Sequence, residues 1–221
     1  MAWKPLPVPA SPDPYEVISR EAFYDCPWIR IRKDKFHHRA GAEGTYTVVG
    51  FHRTACGVLA LDDTDRVVLV GQWRYPLERY SWEIPEGGGD PHESPFDAMR
   101  RELAEEAGLQ ARVWEPLLYF NPSNSTTDEE TFLFLAGDLS PVEGHHAEDD
   151  EELALHREPF NDCLRRALNG EIADSLTVAA LLTLQARRSG ITEPMDAVLA
   201  ERFFQKPAEH PSEGRARWGK L

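Results

Sequence analysis

The chain has 221 residues, with 24 Lys and Arg against 38 Asp and Glu, a formal net charge of −14 and a pI near 5.0. That balance counts against nucleic acid or an anionic membrane surface as the main partner, because both require clustered cationic side chains. At 41% hydrophobic and 28% charged it reads as a soluble globular chain with one good core, and with no apolar run near the ~20 residues that span a bilayer and no h-region in its Pro-rich start, a cytoplasmic setting is expected.

Residues 1–14 carry five prolines and read as a solvated arm. Segments 28–32 and 45–51 have strand character, with the turn cluster 40–44 between them. The Val- and Leu-rich runs 55–61 and 66–70 bracket Asp62-Asp63-Thr64-Asp65, which predicts a hairpin of two paired strands. Cys26, Cys56 and Cys163 are scattered with no CxxC pair, as expected of buried thiols in a reducing compartment.

The clearest helix starts after Ser94 as cap, with Pro95 at its first position and Asp97 three residues after the cap, and stops at Gly108. Phe96, Met99, Leu103 and Ala107 form its apolar stripe. Strands are expected at 113–120 and 131–136, joined by the polar loop 121–130, then helices near 159–168 and 174–188. The end, from about residue 206, is polar.

On the predicted helix, Glu102, Glu105 and Glu106 lie at i, i+3 and i+4 and share one face. Like charges so placed repel by a few tenths of a kcal/mol per pair, and a hard divalent cation with oxygen ligands would neutralise them. In an isolated Glu-x-x-Glu-Glu a solvated acidic face is the simpler reading, but here the context reverses it. Upstream, Trp82-Glu83-Ile84-Pro85-Glu86-Gly87-Gly88-Gly89 reads as a strand fragment breaking into a Gly-rich turn. The segment then runs Gly87, five residues, Glu93, seven residues, and Arg101-Glu102-Leu103-Ala104-Glu105-Glu106-Ala107-Gly108-Leu109.

This pattern resembles the Nudix box, G-x5-E-x7-R-E-U-x-E-E-x-G-U with U aliphatic, at all nine specified positions. The resemblance implies an α/β protein, a Nudix-type α/β/α sandwich with a mixed β-sheet and an N-terminal β-rich subdomain. It also implies hydrolysis of a nucleoside diphosphate linked to another moiety, with Mg²⁺ or Mn²⁺ as cofactor. By position, Glu102 and Glu106 would be the principal metal ligands, Glu105 would share in the site and its chemistry, and Glu86 would lie near it through its carbonyl. Glu93 and Arg101 would brace the loop against the helix, while Gly87 and Gly108 would permit a tight turn and a left-handed helix end. A polyanionic pyrophosphate needs cations between it and these carboxylates.

The resemblance covers about residues 15–190. Gln72-Trp73-Arg74-Tyr75-Pro76, Phe120-Asn121-Pro122 and Ile172-Ala173-Asp174-Ser175-Leu176-Thr177 resemble the ADP-ribose pyrophosphatase and nucleoside diphosphate sugar hydrolase branch. Arg74 is then a candidate phosphate contact, with a salt bridge in its acidic neighbourhood as the alternative. After Pro122 the chain departs from many ADP-ribose hydrolases, with Ser123 where they place a Gly, which widens the range of sugars.

The acidic run 148–152 would be the branch's catalytic loop, with Glu151 or Asp149 as the carboxylate that activates water. Trp28, with Phe23 and Tyr24 beside it, lies in the segment that in this branch packs across a homodimer and stacks on the nucleotide base. The implied organisation is an arm at 1–14, a dimer-forming β subdomain at 15–52, a hydrolase domain at 53–205 and a tail at 206–221. The expected partner is a small nucleoside diphosphate derivative. Other substrates, such as dinucleotides or nucleoside triphosphates, and a non-catalytic ligand sensor are the competing readings.

Overall fold

The fold comes from a computed structural model and is described for residues 6–143, 153–191 and 195–206. Strand β4 (Thr54–Ala60) alternates as a strand buried on both sides must. Cys56, Val58 and Ala60 face one core, and Leu59 faces another. Its parallel neighbour β9 (Thr131–Pro141) divides likewise, Phe132, Phe134 and Ala136 against Leu133. With β7 (Glu86–Gly89) and β8 (Leu109–Phe120) these strands form a mixed sheet in the order β7-β4-β9-β8.

Helix α1 (Pro95–Ala107) covers the first face with Met99, Leu103 and Ala107. Helices α2 (Phe160–Leu168) and α3 (Ser175–Arg188) cover the second with Phe160, Cys163, Ala180, Leu181 and Leu184. The result is the expected α/β/α sandwich. A short helix, α4 (Ala197–Glu201), leads Phe203 into the first core between Phe132 and Phe134.

Strand β5 (Arg66–Arg74) lies in a different sheet from β4, between β6 (Arg79–Glu83) and β10 (Ala154–Pro159). This corrects the expected pair of strands. The turn forms, with Asp62 N donating to Arg66 O at 3.0 Å and one bridge between Leu61 and Val67. Beyond it β5 diverges, because both edges of β4 are taken by β7 and β9.

Residues 15–51 make a third sheet of β1 (Tyr15–Asp25), β2 (Ile29–His38) and β3 (Glu43–Phe51), all antiparallel. Strand β1 had no periodic signal, since nearly all its residues are exposed. The sheet is fastened to the loop after β8: Val49 N donates to Thr126 O at 3.0 Å, Val49 bridges Thr127, and the Tyr46 hydroxyl donates to Ser125 O. Among the described residues no helix is long and apolar enough to cross a membrane.

Candidate active site

Local chemistry fixes α1 at both ends. Ser94 Oγ accepts from Asp97 N at 3.1 Å, Pro95 opens the first turn, and Gly108 closes the helix at φ 62°. Gly108 is thus in the left-handed conformation expected of it. Gly87 is different. It has no positive φ and pairs with Cys56 across β7 and β4, so the Gly-rich segment is a strand and the expected tight turn is corrected. The reason is steric. A methyl group on Gly87 would overlap the Glu102 carboxylate, whose farther oxygen would be 2.7 Å away. On Gly88 it would strike the stem of Arg53, and on Gly89 it would press on Ala98 of α1.

Arg101 gathers the acids of the box. Its Nε and Nη2 donate to the two oxygens of Glu93 at 3.1 and 3.0 Å, and its Nη1 donates to Glu102 at 2.9 Å and Glu105 at 2.8 Å. Glu93 is held below the usual carboxylate range chiefly by these Arg101 hydrogen bonds. Glu106 Oε2 accepts from the backbone N of Glu86 at 2.9 Å, which ties the far end of the helix face to β7. The residues predicted from the box therefore meet at one place, the meeting of α1 with β7.

Arg74 is engaged with acids. Its Nε donates to both Glu83 oxygens at 3.0 Å, and its Nη2 donates to Glu83 and, at 2.7 Å, to Glu86 Oε1. Of the two roles open to Arg74 in the sequence, the salt bridge is the one seen. Glu83, Glu86 and Asp174 bring carboxylate oxygens within 4.8 Å of one another. Burial pushes the Glu86 carboxyl well up, Asp174 and Glu83 add to this, and Arg74 opposes it. Asp174 also caps α3, accepting from Thr177 N and Oγ1 at 2.7 Å each.

Beside these acids opens a cavity of about 440 Å³, whose walls include Trp28, Arg53, Gly87, Gly88 and Glu129. Trp28, itself exposed, lines this cavity, whereas Phe23 and Tyr24, exposed on β1, are not among its lining residues. Burial, reinforced by Asp128, raises the Glu129 carboxyl. Glu151, Asp149 and the rest of the 148–152 run lie outside the described residues.

The family described as NUDIX domain matches residues 51–179, more than half of the chain and all of the box. The chain belongs to the Nudix family. An ADP-ribose pyrophosphatase of Mycobacterium tuberculosis is 33% identical over 187 residues, 81% of this chain and 87% of that protein. An ADP-ribose pyrophosphatase of Bacillus subtilis is 34% identical over 139 residues, 62% and 75% of the two chains. A solved structure titled as an ADP compounds hydrolase superposes with a TM-score of 0.72 at 20% identity, over 81% of this chain and 98% of its own, and shares the fold. The chain is accordingly a Nudix hydrolase.

Sequence reasoning did not assign Glu83, Asp174 or Arg53 to the site of this Nudix hydrolase. Asp174 is visible in the sequence as a helix cap and Glu83 as a strand residue. Their meeting is tertiary, carried by the Thr177 Oγ1 that accepts from Ile84 N at 2.9 Å. For Arg53 the available signal was Gly88, a residue without a side chain where a neighbour lies flat.

Proposed function

We propose that the chain hydrolyses the pyrophosphate bond of a nucleoside diphosphate sugar, ADP-ribose foremost, to a nucleoside monophosphate and a sugar phosphate, using Mg²⁺ or Mn²⁺. The observation that carries this reading is the cavity itself, with an aromatic ring, Trp28, on one wall and the strand that cradles Glu102 on another. The substrates named for the two ADP-ribose pyrophosphatase relatives support the choice of sugar nucleotide.

The donor set fits a hard divalent ion. Glu102, Glu105 and Glu106 offer only oxygens, Arg101 already supplies positive charge to two of them, and Glu86 keeps a buried oxygen, Oε2, without a hydrogen-bond partner. Glu102 and Glu106, with Glu105 beside them, would hold the ion. When bound it supplies Lewis-acid polarisation of phosphoryl oxygens and a more acidic water. The chain's own residues do the rest. Trp28 stacks on the base, Arg101 and Glu93 keep the box in register, and a carboxylate of the 148–152 run, Glu151 or Asp149, takes the proton of the attacking water as the P–O bond to the leaving phosphate breaks. We further propose a homodimer built on the β1–β3 sheet, which exposes Val17, Ile18, Phe23 and Tyr24.

The test is the purified chain with Mg²⁺ against ADP-ribose, GDP-mannose, UDP-glucose, NADH, diadenosine polyphosphates and dNTPs, with products identified. Cleavage of a diphosphate sugar to the two monophosphates is expected, falling at least about 100-fold in Glu106→Gln. Turnover that survives exhaustive chelation, or cleavage of dNTPs alone, refutes the reading. Sedimentation equilibrium reports the dimer.

A further inference from the structure

Trp28, the aromatic wall of the cavity, is 63% exposed, so packing does little to fix its ring and the backbone beneath it must be fixed instead. That backbone is the turn Cys26-Pro27-Trp28 between β1 and β2, closed by Cys26 N donating to Ile29 O at 3.0 Å. A binding wall that spends time out of place weakens affinity in proportion to that time.

Both ends of this turn are gripped by one residue. The backbone N of His52 donates to Trp28 O at 3.2 Å, and its Nε2 donates to Asp25 Oδ1 at 2.8 Å. Burial pushes the Asp25 carboxyl up, but its bonds to His52 and Arg30 hold it below the usual carboxylate range, so it is ionised and only accepts. Arg30 completes the clamp, with Nε and Nη2 each 2.8 Å from Asp25 Oδ2. The three side chains are each less than a quarter exposed, so water replaces a lost partner poorly.

The place of His52 in the chain gives the clamp its meaning. Strand β3 ends at Phe51 and β4 opens at Thr54, while Arg53 lays its guanidinium 5.3 Å from the centre of the Trp28 ring. Trp28 stands outside the residues 51–179 that match the family, and His52 stands inside them. The clamp thus hangs the aromatic wall on the domain that carries the box.

We propose that His52 is a positioning residue for the nucleotide base: through Asp25 and the Trp28 carbonyl it holds the Trp28 ring ready to stack, and so sets affinity for the nucleoside end of the substrate without touching it. The assignment rests on the reading of Trp28 as the wall that stacks on the base. Calorimetric titration of the full chain with Mg²⁺ and ADP, GDP or UDP tests it in wild type, Trp28→Ala, His52→Ala, His52→Gln, Asp25→Ala and the double variant Trp28→Ala/His52→Ala. Trp28→Ala should weaken the tightest of the three by about tenfold. His52→Ala and Asp25→Ala should each weaken it by about threefold to tenfold. His52→Gln, whose side-chain amide donates to Asp25 from nearly the position of Nε2, should recover most of the loss. With Trp28 already removed, His52→Ala should add nothing, because the two act through one ring. In turnover, His52→Ala raises KM more than it lowers kcat. Wild-type affinity in Trp28→Ala, or in both His52→Ala and Asp25→Ala, overturns the assignment. So does a His52→Ala loss that persists undiminished in the double variant, a loss that Gln does not recover, or no binding of any of the three by wild type. If wild type cleaves no diphosphate sugar yet the two substitutions are coupled in binding, the proposed reaction fails and the positioning stands. Cleavage with additive losses keeps the reaction and removes the positioning.

Discussion

The Cα of Gly87 faces the carboxylate of Glu102 with no room between them for a single methyl group. The first glycine of the box is thus a steric partner of its first helical glutamate, joined across the packing of β7 on α1. Gly87→Ala has no forbidden backbone angle to overcome, so the chain is expected to fold while Glu102 is driven aside. Displacements of about 1 Å at a reacting centre cost on the order of 100-fold in rate. Turnover of Gly87→Ala should fall by that order, with far-ultraviolet circular dichroism unchanged. Activity within threefold of wild type would show that Glu102 relaxes without consequence.

Arg101 holds Glu93, Glu102 and Glu105 together, and its removal leaves carboxylates repelling across the helix face. Loss of such charge-assisted hydrogen bonds costs about 1–3 kcal/mol. Arg101→Gln should lower Tm in the presence of chelator, and Mg²⁺ should raise Tm more in the variant than in wild type, since the ion takes over neutralisation. Equal shifts in the two proteins would refute that exchange.

Asp62 organises the turn between β4 and β5, accepting from Thr64 N at 3.0 Å, Thr64 Oγ1 at 2.8 Å and Arg66 N at 3.1 Å. Burial pushes its carboxyl up, but these bonds and Arg157 hold it, on balance, below the usual aspartate value of about 3.9. A depressed carboxyl stabilises the fold above the unfolded-state value, and that stability is lost as pH falls through the folded one. Asp62→Ala should therefore cost about 1–3 kcal/mol at pH 7, and the gap to wild type in urea midpoints should narrow below about pH 4. A gap constant from pH 7 to 3 would mean that the charge does not matter.

Phe203 is fully buried, with its ring centre 5.0 Å from Phe132 and 5.1 Å from Phe134, and its carbonyl accepts from Phe96 N at 2.9 Å. Phe203→Ala should destabilise by about 3–5 kcal/mol, whereas Phe204→Ala, at a half-exposed position, should cost far less. Comparable urea midpoints for the two variants would show that the C-terminal segment is not part of the core.

These features differ in how far the sequence revealed them. Helix α1 was legible because its cap, its proline, its apolar stripe and its terminal glycine are all local, and the box glutamates followed from its 3.6-residue turn. The glycines at 87–89 were not, since composition alone reads them as a turn. Each is small because another element lies against it: Glu102, Arg53, Ala98. The separation of β4 from β5 depends on which strands fill the edges of β4, a non-local matter that a good turn signal hides. Phe203 stood in a stretch of no evident periodicity, and only its place between two strand phenylalanines makes it core. Arg74 was read as a phosphate contact with a salt bridge among acids as the alternative, and seeing that salt bridge required the buried Glu83 that the strand pairing places beside it.

The bridge from Val49 to Thr127 joins one edge of the β1–β3 sheet to the loop that leads to Glu129 at the cavity wall. Trp28 lies in the turn between β1 and β2 of that same sheet, so two walls of the cavity travel with it. Sheet and loop thus behave as one interchangeable cassette: transplanting residues 15–52 into a related hydrolase without residues 121–130 would leave the new wall unfastened, whereas moving both together would carry a whole specificity surface to a foreign catalytic box.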